Sequence, residues 1–156
     1  CILADMGRVY EITPSYELCY GNTASHLVEF TTLNFEMAIK ERLEEIMDIT
    51  GELMANILER LEKEFLEELN LINNQNRNFE FDLPIPRITY HHAIEILREG
   101  KDDKDSLLDF LWEGGLPRSE EYNLAKIIKE KYYTDVFIIY KYPKHLVRYC
   151  YMPRSV

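Results

Sequence analysis

Several things are scarce or missing in this chain of 156 residues. No apolar run approaches the ~20 residues that span a bilayer, and no charged, apolar and small leader opens it, so a soluble protein without membrane contact is expected. Cysteine is limited to Cys1, Cys19 and Cys150, an odd number without the spacing of a zinc site or disulfide framework, which fits a reducing compartment. There is no glycine-rich phosphate loop, no GxSxG and no HExxH, so Walker-type, serine-nucleophile and zincin chemistry lack support. Positive charge is scarce too. With a net charge of −10, the surface does not hold nucleic acid by counterion release, and DNA is not expected as a partner. Lys126, Lys129 and Lys131 read as a solvated helix face.

What is present is material for a core: 46% of residues are hydrophobic, with 11 Tyr and 7 Phe. One domain covering 1–156 is expected. Val9 to Ser15 and Leu27 to Ile39 are β-branched, aromatic and partly alternating, which predicts a strand hairpin over about 8–39. The intervening ELCYGNTAS, Glu17 to Ser25, is too long for a two-residue turn and reads as a loop. From about 41 to 72 apolar residues recur at steps of three and four, among them Met47, Met54, Leu58, Leu61 and Phe65. This predicts one long amphipathic helix with Gly51 as its weakest point and its methionines in the core.

RITYHHAIEILREG predicts a short strand and a helix capped by Thr89 and ended by Gly100. Lys101 to Asp105 reads as a charged loop, and Leu107 to Gly115 as a short apolar element anchored by Trp112. Ser119, Glu120 and Glu121 mark the start of a helix running to about Tyr132. VFIIYKYP and then His145 to Tyr151 predict further strands, completing a region over about 87–151. The order of elements predicts an α+β fold with an antiparallel sheet flanked by helices.

Of the histidines, His91 and His92 read as surface groups at a helix start, and His26 at the foot of the loop is the one to retain. No metal site is expected. Glu29 and Glu36, seven apart on one strand, fall on opposite faces and make no acid-base pair.

The segment GRVYEITPSYELCYGNTASHLVEFTTLNFEM resembles motif 2 of the aspartyl-tRNA synthetases: a strand ending in Phe-Arg-x-Glu, a loop, then Arg-His-Leu-x-Glu-Phe-Thr-x-Leu-Asp-x-Glu-Met. Arg8 to Pro14 match the first strand, Asn22-Thr23 the loop, and His26, Leu27, Glu29, Phe30, Thr31, Leu33, Glu36 and Met37 the second strand. KEKYYTDVFIIYKYP, Lys129 to Pro143, resembles a second stretch, and RITYHHAIEIL a third. The resemblance implies a class II synthetase-type catalytic-core segment whose relatives use ATP and magnesium to join aspartate to tRNA in the cytoplasm.

The departures decide the reading of the site. The family arginine that clamps the α-phosphate and the amino-acid carboxylate falls on Glu17, which repels what the guanidinium holds. The adenine-reading glutamate falls on Cys19, the γ-phosphate arginine on Ser25, and the aspartate that accepts the substrate ammonium on Asn34. Phe30, the adenine-stacking residue of the family, and His26 are kept, although Phe30 also suits a plain inward-facing strand aromatic. In place of Val-Arg-Pro-Phe-Tyr stands Leu146 to Cys150, with Arg148 displaced by one position.

No catalytic residue set is intact, motifs 1 and 3 and the anticodon-binding domain fall outside these residues, and the strand-like ends read as cut. The expected reading is a core segment inactive as an isolated chain, a pseudoenzyme with no cofactor of its own and little or no hold on tRNA. The alternative is a non-catalytic interaction module that docks to a larger ribonucleoprotein or synthetase assembly, with a protein partner or a homodimer.

Overall fold

The computed structural model describes residues 6–17, 27–73, 78–99 and 115–146. The chain divides into two compact units, Cys1–Ile46 and Met47–Val156.

In the first unit β1 (Arg8–Tyr16) and β2 (Glu29–Met37) pair antiparallel in one unbroken register, from Arg8 opposite Met37 to Tyr16 opposite Glu29. The amide of Glu17 donates to the Val28 carbonyl (3.0 Å) and that of Ala38 to the Gly7 carbonyl (3.0 Å), so the ladder extends one rung past each end. β-Branched and aromatic residues favour this pleated pairing. The predicted hairpin is therefore present, while residues 18–25 of its loop lie outside the described residues.

The chain leaves β2 through a tight turn organised by one carboxylate. Glu45 accepts the backbone N–H groups of Lys40 (3.2 Å), Glu41 (2.8 Å) and Arg42 (2.9 Å). These bonds, that from Arg42 foremost, hold its acid below the ordinary glutamate range.

The long helix predicted over about 41–72 is found as α1 (Glu44–Glu64) and α2 (Leu66–Asn73). They are separated by Phe65 alone, and α-type bonds from Phe65 N to Leu61 O (2.9 Å) and from Leu69 N to Phe65 O (3.0 Å) run through the gap. Gly51 is not the weak point. It is buried, and a Cβ there would meet Ile85 Cγ1 at 3.2 Å, so the bare backbone is what lets the 83–86 segment approach. Of the helix methionines, Met47 is buried while Met54 is partly exposed.

In the second unit β3 (Arg87–Thr89) runs straight into α3 (Tyr90–Glu99), where Thr89 Oγ1 accepts the His92 amide at 3.2 Å as the expected N-cap. α4 (Arg118–Tyr132) begins after Pro117, whose carbonyl accepts from Glu120 (2.9 Å) and Glu121 (3.0 Å). No side chain caps it, so Ser119 sits inside its first turn. Acidic residues in that turn and Lys129 and Lys131 in the last suit the helix dipole. Tyr133, left-handed at φ 53°, closes the helix with a bond to Lys129 O.

β4 (Ile138–Tyr140) then pairs with β3 in parallel, Ile88 opposite Ile139. Among the described residues the expected antiparallel sheet is that of β1 and β2, while β3 and β4 are joined by a connection that includes α3 and α4, long enough for the crossover that parallel pairing requires. Of the strand expected over His145 to Tyr151, His145 and Leu146 lie in a 3-10 turn, Lys144–Leu146, and the rest lies outside the described residues.

The core of this unit is Ile88, Ala93, Ile96, Leu97, Leu124 and Ile128. Each large member removed from water contributes roughly 1.5–3 kcal/mol. Tyr90 is fully buried and its ring lies 4.8 Å from that of Tyr142 at 43°. Burial raises the pKa of both hydroxyls above the ordinary tyrosine value, making them weaker acids. An ionic knot ties the 78–80 segment to the α4–β4 connection: Glu80 N donates to Asp135 Oδ2 (2.9 Å), Asp135 N to Glu80 O (2.6 Å), and Lys129 pairs with both acids. Trp112, Gly100 and the 101–105 segment lie outside the described residues. Among the described residues, no helix is long and apolar enough to cross a membrane.

Candidate functional site

Strand alternation sorts the hairpin into two faces. One carries Val9, Glu11, Thr13, Ser15 and, one rung beyond the strand, Glu17, opposite Val28, Phe30, Thr32, Asn34 and Glu36. The other carries Arg8, Tyr10, Ile12, Pro14 and Tyr16 opposite Glu29, Thr31, Leu33, Phe35 and Met37. Every described residue marked by the sequence as a site candidate falls on the first face: Glu17, Phe30 and Asn34. His26, Cys19 and Ser25 lie outside the described residues, as does Arg148.

A hydrogen-bonded ladder of polar side chains runs along this face. The hydroxyls of Ser15 and Thr32 are 2.6 Å apart, and Thr32 Oγ1 donates to the Thr13 carbonyl at 3.3 Å. Its one proton thus committed, Thr32 accepts from Ser15 and also lies 3.4 Å from Asn34 Nδ2. Asn34 Nδ2 donates as well to Glu11 Oε1 at 3.2 Å, directly across the register. The amide is thereby oriented, with both described bonds taken by its nitrogen and its oxygen left as the free acceptor. Phe30, half-buried, lies across from Ser15.

At the open end of the hairpin a concavity of about 570 Å³ is lined by Met6, Arg8, Glu11, Asn34, Phe35 and Glu36 among others. That is within the size range of small-molecule pockets. The charge of the polar face is of one sign. Its described residues include the carboxylates of Glu11, Glu17 and Glu36 and no Lys or Arg, and Arg8 belongs to the opposite face by alternation.

Elsewhere the expected bland roles are found. His91 and His92 are exposed on α3 and both face Glu95, at 3.4 Å and 3.2 Å. Glu29 and Glu36 occupy opposite faces of β2, and Glu29 lies 3.4 Å from the Tyr16 hydroxyl across the strands. Lys126 lies exposed over the ring of Tyr122, whereas Lys129, expected on the same solvated helix face, is mostly covered and held in its ionic knot with Glu80 and Asp135. Among the described residues no three His, Cys, Asp or Glu side chains are grouped to hold a metal ion. A smaller groove of about 280 Å³ beside Gly51, crossed by the Arg87–Asp48 ion pair, is separate from these candidates.

Sequence reasoning picked out Asn34 but missed Glu11. The signal was available in principle, since counting back through a hairpin register places the two opposite one another, but the register depends on a loop whose length alone does not fix it.

Residues 1–155 match the family model described as tRNA synthetases class II (D, K and N), and the chain belongs to that family. Within it the chain is similar to aspartate–tRNA ligases at more than 30% identity. The chain is 35% identical over 157 residues to the cytoplasmic aspartate–tRNA ligase 2 of Dictyostelium discoideum, covering 99% of this chain and 28% of that protein. It is 34% identical over 145 residues to the cytoplasmic aspartate–tRNA ligase of Homo sapiens, covering 92% and 28%.

The aspartyl tRNA synthetase from Entamoeba histolytica superposes with a TM-score of 0.79 at 32% identity, over 98% of this chain and 30% of that one. An asparaginyl-tRNA synthetase from Pyrococcus horikoshii complexed with asparaginyl-adenylate gives a TM-score of 0.70 at 27% identity, over 94% and 31%. The chain thus spans less than a third of the length of these relatives.

Proposed function

We propose that these residues are a segment of the catalytic core of an aspartyl-tRNA synthetase homologue, the two units being parts of one core domain, and that the segment forms no aspartyl-adenylate. The carrying observation is the position of Glu17. Its amide is bonded to Val28, which keeps it in the register of the hairpin, and alternation puts it on the face that holds Phe30 and Asn34. A guanidinium at this point would give a phosphate two charge-assisted bonds, whereas a carboxylate adds repulsion. The described residues of the face, three carboxylates and no cation, do not fit a triphosphate or its magnesium complex. Phe30 offers a surface for stacking but nothing to hold a charged tail.

Two relatives named above as cytoplasmic ligases support a cytoplasmic location. The net charge of −10 supports little contact with tRNA from this segment. Calorimetric titration of magnesium-ATP into the purified chain tests the reading, beside a Glu17→Arg, Cys19→Glu, Ser25→Arg variant. The native chain is expected to give no binding heat and the variant to gain some. Binding by the native chain at the strength of an active synthetase would overturn it.

A second reading, the interaction module, is favoured by the other hairpin face, where Tyr10 is 76% exposed, Tyr16 72% and Ile12 67%. An apolar face of this kind suits a protein partner or a second copy. Sedimentation as a clean monomer, with no association at high concentration, counts against it.

A further inference from the structure

From the groove beside Gly51 we infer a docking site for an extended peptide segment in which a branched apolar residue is followed by a basic one. Arg87 donates to a main-chain carbonyl of the segment, the apolar wall takes the first side chain, and Glu52 with Asp48 takes the cation. Every residue lining the groove belongs to the second unit, so the site goes beyond the reading given above and does not rest on the hairpin.

Arg87 is the group whose needs the protein leaves unmet. A guanidinium carries five N–H donors and no acceptor. Among the described residues one of the five is used, on Nη2, by Asp48, while Nε is buried and meets no acceptor. A buried donor without a partner is costly, which is why buried polar groups in native proteins are paired. The side chain is still 22% exposed where it lines the groove, which leaves part of the fork within reach of a ligand oxygen.

Charge selects the kind of oxygen. Asp48 and Glu52 stand one turn apart on α1, a spacing at which like charges repel. Arg87 answers Asp48, and Glu52 has no cationic partner among the described residues. Together the three groups leave a net charge of −1 on the groove. A carboxylate or phosphate would add its charge to two carboxylates that already face one guanidinium. The acceptor that fits is therefore neutral, a carbonyl, and the place for a cation is beside Glu52.

Met47, Leu83, Pro84 and Ile85 supply the rest of the wall. Leu83 is 54% exposed, so a side chain laid against it removes apolar surface from water on both partners. At about 280 Å³ the groove falls just under the range of small-molecule pockets, which suits one side chain and its main chain better than a cofactor. A carbonyl, a branched apolar side chain and a cation at neighbouring positions are what consecutive residues of a polypeptide present.

The test is a titration of the isotope-labelled chain with three probes: N-acetyl-leucyl-lysinamide, the same dipeptide amide with glutamic acid in place of lysine, and inorganic phosphate. The Arg87 Nε–H and Gly51 backbone amide resonances are the readout. The lysine peptide is expected to shift both saturably, the glutamate peptide to bind on the order of tenfold more weakly, and phosphate to leave both in place. Glu52→Gln keeps the shape of an exposed side chain and removes its charge. It is expected to weaken the lysine peptide by roughly threefold to fivefold and to narrow its advantage over the glutamate peptide. Arg87→Lys keeps the charge opposite Asp48 but loses the fork, and is expected to weaken the lysine peptide roughly fivefold without narrowing that advantage, read on the Gly51 amide. If Arg87→Lys does not fold, Glu52→Gln decides alone.

Equal responses to the two peptides overturn the inference, as does no response to either, an undiminished response in Glu52→Gln, or a saturable response to phosphate, which would make this an anion site. No nucleotide is present in these titrations. Failure here therefore leaves the claim about Glu17 and ATP standing, and ATP binding by the native chain leaves this one standing.

Discussion

Replacing Gly51 by alanine sets helix propensity against packing. In an open helix the change would stabilise by about 1 kcal/mol, because glycine loses the most backbone freedom on becoming helical. At this position the new methyl would sit 3.2 Å from Ile85 Cγ1 and 3.4 Å from Ile85 Cβ. Ile85 is 3% exposed and is flanked in sequence by Pro84 and Pro86, which restrict the backbone that would have to retreat. Overpacking of this kind costs about 1–3 kcal/mol, so Gly51→Ala is expected to lower stability by about 1 kcal/mol.

A double-mutant cycle separates the two effects. Ile85→Ala removes the nearer atom and leaves only the ordinary 3.4 Å contact. In that background Gly51→Ala is expected to stabilise by about 1 kcal/mol, giving a coupling of about 2 kcal/mol between the two sites. Urea unfolding followed by far-ultraviolet circular dichroism measures all four proteins. If Gly51→Ala raised the midpoint equally in both backgrounds, the close approach of helix and 83–86 segment would carry no energetic weight and the reasoning would be wrong.

Two further outcomes follow from the way the helices start. Glu45, its acid held low by the bonds from Arg42, Glu41 and Lys40, has a folded-state pKa below its unfolded one. Its stabilisation is therefore present above the unfolded value and lost as pH falls through the folded one, so the excess stability of the native chain over Glu45→Gln should be full near neutrality and vanish on acidification below the ordinary glutamate range; a pH-independent gap refutes it. Thr89→Ala removes the acceptor of the His92 amide and should cost about 1 kcal/mol in urea unfolding, with Thr89→Ser losing much less; equal losses would show that the hydroxyl is not acting as the cap.

Local pattern was enough wherever a residue's role depends on its near neighbours in the chain. The alternation of β1 and β2, the three- and four-residue steps of α1 and α2, and the Thr89 cap could all be read directly, because each is a backbone periodicity or a contact within a few residues. The substitution at Glu17 was equally legible, since a carboxylate in place of a guanidinium reverses charge whatever surrounds it. What the sequence by itself determined is thus an α+β segment of a synthetase core with a reversed charge at Glu17.

Tertiary structure decided the rest. Gly51 looked like a flaw because propensity is a property of one helix, while its value comes from Ile85, 34 positions away, whose approach needs a missing side chain. The pairing of β3 with β4 came out parallel, a direction set by the path of the connection between them and not by the strand residues. Glu11 acquired a partner only when the register set it across from Asn34. Contacts between residues far apart in sequence depend on loop paths and packing choices that leave no periodic trace, and for that reason Glu17, Phe30 and Asn34 could be picked out from the sequence while the face they share and the bond that orients Asn34 could not.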